Sequence, residues 1–151
     1  MKPYYLPDIL LLVVITFSMN ALAASDDLEQ LNIIDWHVHV AGLGHGESDN
    51  FINDTMYKNF RFKFFLKWMN VTEEELKRHG DQIVVKRLNE KIEESKYIDQ
   101  AIILALDGVI DKKTGKLDKA ATQFYVDNEF VARESAKYPN LLFSPKRDDP
   151  S

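Results

Sequence analysis

Apolar and polar positions recur with two different periods along this chain, and the changes of period mark out its elements. Ile33-Ile34-Asp35-Trp36-His37-Val38-His39-Val40 is followed by glycines at 42, 44 and 46, which predicts a strand over residues 32–40 and a polar loop over 41–50. Residues 51–70 carry Phe60, Phe64 and Trp68 at i, i+4 and i+8, the spacing of a helix with buried aromatic anchors. Lys58, Arg61, Lys63 and Lys67 interleave with them, as on a nucleic-acid or membrane face, but Glu73-Glu74-Glu75 follows closely and favours a solvated face instead. Thr72 with Glu75 predicts a capping box for a short helix ending near Gly80. Asp81 is the expected cap of the next helix, which carries Val84, Leu88 and Ile92 in register and runs to about Tyr97.

Residues 100–106 are apolar almost without alternation, the pattern of a parallel strand covered on both faces. Asp107 then either caps a turn or reaches the end of the sheet. Residues 111–115 hold too few acids for a calcium loop. A helix over 127–137 and a short strand over 141–143 complete the series, so the pattern predicts an α/β fold with parallel strands.

The start of the chain adds a different kind of segment. Lys2, an apolar run over 9–17 and Ala21-Leu22-Ala23 predict a signal peptide over residues 1–23, cleaved after Ala23. The run is shorter than the ~20 residues of a spanning helix. The expectation is an exported protein, periplasmic or secreted, with no stable membrane anchor after cleavage and one domain over 24–151. Composition is that of a soluble globular chain, with 45% hydrophobic and 28% charged residues. A net charge of −5 gives no electrostatic case for nucleic acid or an anionic membrane. There is no cysteine, so a metal would have to be held by His, Asp, Glu or Lys. Asn53-Asp54-Thr55 and Asn70-Val71-Thr72 match a glycosylation pattern that arises easily by chance.

The candidate chemistry lies in the first strand. Residues two apart on a strand leave the same face, so His37 and His39 are expected to project together, with Asp35 and Ile33 beneath them. Neutral imidazole is the commonest metal ligand, and two on one rigid strand can share an ion. His37 and His39 are therefore the expected metal ligands, and because two ligands leave zinc two short of its usual four, tight binding by this chain alone is not expected. His45, Glu47 and Asp49 in the following loop are further candidates, and His79 stands near a helix end.

Asp35-Trp36-His37-Val38-His39 resembles the amidohydrolase superfamily, whose first strand ends in a His-x-His that supplies two metal ligands. The resemblance continues through residues 101–107, similar to a second strand, and through 128–133 and 138–143, similar to a second helix and the start of a third strand. It implies the N-terminal part of a (β/α)8 TIM barrel, with about three strands present and the barrel incomplete. It also implies a zinc-dependent hydrolase acting on a C–N or C–O bond of a small-molecule substrate, or a metal-dependent decarboxylase of the same superfamily. Such a barrel needs about 250 residues and this chain has 151. The family's other ligands lie on strands four, five, six and eight, for which there is no counterpart here, so the catalytic residues stay unassigned. Residues 144–151 turn polar, with prolines at 145 and 150, where the resemblance implies a strand and helix. The expectation is a premature end or a change of reading frame near Ser144. Uncovered apolar positions at Trp36, Ile102, Leu104 and Phe143 then predict poor solubility or a molten state unless a completing chain or oligomer covers them. The other expected role is a non-catalytic remnant or accessory subunit.

Overall fold

The computed structural model describes residues 31–144. The predicted signal peptide with its cleavage site and the tail from Pro145 lie outside the described residues. The chain divides into two units, Met1–Asn32 and Ile33–Ser151, and every element below belongs to the second. In chain order these are β1 Ile34–His39, β2 Phe51–Ile52, α1 Asp54–Tyr57, α2 Phe60–Met69, α3 Glu73–His79, α4 Gln82–Glu93, β3 Gln100–Leu104, β4 Phe124–Tyr125, α5 Asn128–Ser135 and β5 Leu141–Phe143.

Three strands form one parallel sheet in the order β1-β3-β5. β2 and β4 pair antiparallel in a second sheet. This corrects the expected TIM-barrel portion: the described residues form a small α/β domain with an open sheet and no barrel closure. Closure requires each edge strand to find a tilted, staggered neighbour. Here β1 and β5 are the two edges. Part of the chain between β1 and β3 pairs instead with the segment before α5, and the Leu106–Val126 bridge adds to that crossing.

Packing shows why β3 sits in the middle. Ala101 and Ile103 are fully buried and belong to a core cluster with Val84 and Leu88 of α4 and Phe130 and Val131 of α5. Gln100, Ile102 and Leu104 are only half-buried. The strand expected to be covered on both faces is thus well covered on one. The uncovered positions expected at Ile102, Leu104 and Phe143 are half-buried, whereas Trp36 stands 74% exposed.

Asparagines break up the predicted helix over 51–70. Asn53 Oδ1 accepts from Met56 N and Asn59 Oδ1 from Arg61 N, both at 2.9 Å, so each opens a new helix rather than continuing an old one. α2 ends on Asn70 in the left-handed region, φ 55°. It buries Phe62, Leu66 and Met69, and the stripe expected to be buried, Phe60, Phe64 and Trp68, faces solvent. Phe62, Leu66 and Met69 continue into the buried Val71 and Leu76, which selects that stripe for the core. α3 has its capping box and ends at Gly80 as expected.

Candidate functional site

β1 is not a uniform strand. Asp35 pairs with Ala101 and Val38 with Ile103, so Trp36 and His37 together stand opposite the single Ile102. One extra residue in a ladder is a bulge, which bends the strand and re-aims a side chain. Asp35 holds this bend, because its Oδ1 accepts the His37 N–H at 3.1 Å. The carboxylate therefore serves the backbone locally, and the strict alternation expected for Asp35, His37 and His39 is broken.

The two imidazoles nevertheless converge. Their Nε2 atoms lie 2.9 Å apart, and the rings meet edge to face at 84° with centroids 4.7 Å apart. His39 Nδ1 lies 3.2 Å from the carbonyl oxygen of Leu104, the last residue of β3. A carbonyl can only accept, so His39 Nδ1 carries the proton. In the neutral ring its Nε2 is then a bare lone pair directed at His37. His37 Nε2–H donates to it. Two such nitrogens at the usual 2.0–2.1 Å from a tetrahedral zinc would stand roughly 3.3 Å apart. The observed pair needs to open by only about 0.4 Å to reach that span. His37 is exposed and His39 half-buried, and both lie toward the C-terminal end of a parallel strand, where open α/β sheets receive ligands. The pair fits half of a zinc shell.

The loop after His39 is fixed by a residue whose role the sequence did not disclose. Asp81 is completely buried. Its carboxylate accepts from Leu43 N, Gly44 N and Asn50 Nδ2 at 2.9–3.1 Å, from Ser48 Oγ at 2.8 Å and from His45 N at 3.4 Å. Three successive backbone N–H groups thus wrap one carboxylate, in the manner of a backbone nest. The expected helix cap is not made: Asp81 has helical φ and ψ and makes no cap bond. Asn50, also buried, passes the restraint on, its Oδ1 accepting the Asp127 N–H at 3.0 Å. Asp127 in turn caps α5 and accepts from the Tyr125 hydroxyl. Burial, reinforced by the Asp127 charge, pushes the Tyr125 phenol up, so it stays a proton donor.

The remaining candidates are not brought to the histidines. His45 contributes its main chain to the Asp81 contact, its carbonyl accepting from Asp81 N at 3.0 Å. The Glu47 carbonyl accepts from Arg133, while Asp49 and Asp107 are exposed. Among the described residues no third His, Asp or Glu joins the pair in a group able to hold a metal. Leu104 and Asn50 escaped the sequence reading for a plain reason. One acts through a carbonyl that every residue possesses, and the other ends a loop rich in polar residues.

Comparison with known families, characterised proteins and solved structures finds no match to this chain. Its functional reading rests on the geometry.

Proposed function

We propose that His37 and His39 hold a divalent metal ion, zinc by its affinity for imidazole, in a hydrolytic centre of the amidohydrolase kind. The tautomer of His39 carries the reading: with Nδ1–H committed to the Leu104 carbonyl, its Nε2 lone pair is aimed at the other imidazole. Ligating histidines usually donate their second ring N–H to a carbonyl or carboxylate in this way. To act beside it, His37 transfers its proton from Nε2 to Nδ1 and presents a second lone pair. The bulge at 36–37 sets its direction, and the Asp81 clamp keeps the following loop from drifting. The ion, when bound, supplies an activated water and polarises a C–N or C–O bond of a small substrate. With two protein ligands, the remaining positions of a four-coordinate shell would be open to water.

A second reading is an accessory, non-catalytic role. It is favoured by one observation, that two histidines stand without a third acidic or imidazole ligand among the described residues. Zinc measured by equilibrium dialysis tests the metal site itself. The expected result is about one ion per chain, with affinity lowered more than about 100-fold by His37→Ala or His39→Ala and unchanged by His79→Ala. Zinc retained equally by all three variants contradicts the site. Tight zinc without hydrolysis of any ester or amide favours the accessory role.

A further inference from the structure

The stripe that α2 turns to solvent has the composition of an interfacial helix. Phe60, Phe64 and Trp68 are 75, 67 and 55% exposed. At 100° per residue they share an arc of about 160° with Lys63, Lys67 and Arg61, opposite the buried Phe62, Leu66 and Met69. The helix carries three cations and no acid. Arg61 lies 6.0 Å from the Phe60 ring centroid, and Lys91 of α4 lies 5.1 Å from that of Trp68. Aromatics flanked by basic side chains on one helical face match an anionic lipid surface in both respects: rings for the acyl boundary and cations for the headgroups.

Of the three acids that follow, Glu74 is exposed and the other two are engaged elsewhere. Glu73 accepts from the Tyr57 hydroxyl. Glu75 is engaged by Thr72 and by Arg87 at 3.2 Å. Both are tied to partners off α2, while the basic stripe itself contains no acid.

We propose that this face of α2 docks reversibly on anionic membrane surfaces, Phe60, Phe64 and Trp68 entering the headgroup boundary and Lys63, Lys67 and Arg61 meeting phosphates. The test is cosedimentation of the full chain with phosphatidylcholine vesicles, with and without phosphatidylglycerol. Binding is expected only with the anionic lipid and is expected to weaken with salt. Replacing Phe60, Phe64 and Trp68 together by Ser should reduce it at least about tenfold, since each ring loses its apolar burial. Lys63→Glu with Lys67→Glu should do the same while leaving the rings in place. A Trp36→Phe background leaves Trp68 as the only indole, and its emission should shift to the blue on anionic vesicles. That readout uses an unaltered α2 and stays valid if the Ser variant folds poorly. Binding that the Ser and Glu variants leave unchanged, an unshifted Trp68, or equal binding to the zwitterionic vesicles overturns the proposal. A dimer that the same substitutions dissolve also overturns it, because a second copy would then cover the stripe.

Discussion

Gly42 stands three residues after His39 with no room for a side chain. A Cβ there would lie 2.1 Å from one Asp81 carboxylate oxygen and 2.5 Å from Asn50 Nδ2. That carboxylate is held by five donors, so it cannot swing aside as a free surface group would. Gly42→Ala is therefore expected to cost about 1–3 kcal/mol of stability, as overpacking of a tight site does. Urea unfolding measures it, and an unchanged midpoint would show that the clamp yields easily. At this scale the sequence was readable where side-chain chemistry announced itself. The spacing of His37 and His39 led to the expectation that they project together, and their rings do converge. Asp81 was misread because an acid placed just before a helix has the signature of a cap, whereas its long-range partners over 43–50 leave no local mark. The bulge that re-aims His37 is likewise a property of the pairing with β3, invisible in β1 alone.

Among the elements, α3 is the one whose cap was fully legible. Thr72 and Glu75 bond reciprocally, and the Thr72 backbone N–H is the main cause holding the Glu75 carboxyl below its ordinary value of 4.5, with Thr72 Oγ1 and Arg87 adding to it. A carboxyl lowered in the folded state binds fewer protons than in the unfolded chain, so stability rises with pH through this window. The contribution is complete above about 4.5 and is lost as pH falls through the depressed folded value. Glu75→Gln should accordingly flatten the acid-side decline of the melting temperature while leaving its shape near neutrality unchanged. An identical acid limb in both proteins would contradict the role assigned to the cap. α2 was the element least legible. Its apolar residues form two stripes, and periodicity cannot say which one the core takes. Asn53 and Asn59 were equally ambiguous in a segment that otherwise reads as one continuous helix.

For the whole molecule, the pattern of periods was sufficient for an α/β domain with parallel strands and not for its closure. The nearly unbroken apolar run over residues 101–106 suggested a sheet covered on both sides. The structure instead leaves β1 and β5 as edges of a three-stranded sheet, with a short antiparallel pair where barrel-like repetition was expected. What survives this correction is local: two imidazoles at the end of β1, one oriented by the end of β3, beside a loop clamped from Asp81. We propose that these two imidazoles are a pair of ligands for a divalent ion. The most direct measurement is nitrogen-15 NMR of the two histidine rings with and without zinc. His39 is expected as the Nδ1–H tautomer throughout, with His37 changing from Nε2–H to Nδ1–H as zinc shifts both Nε2 resonances. A His39 ring protonated at Nε2, with neither ring responding to zinc, would contradict it.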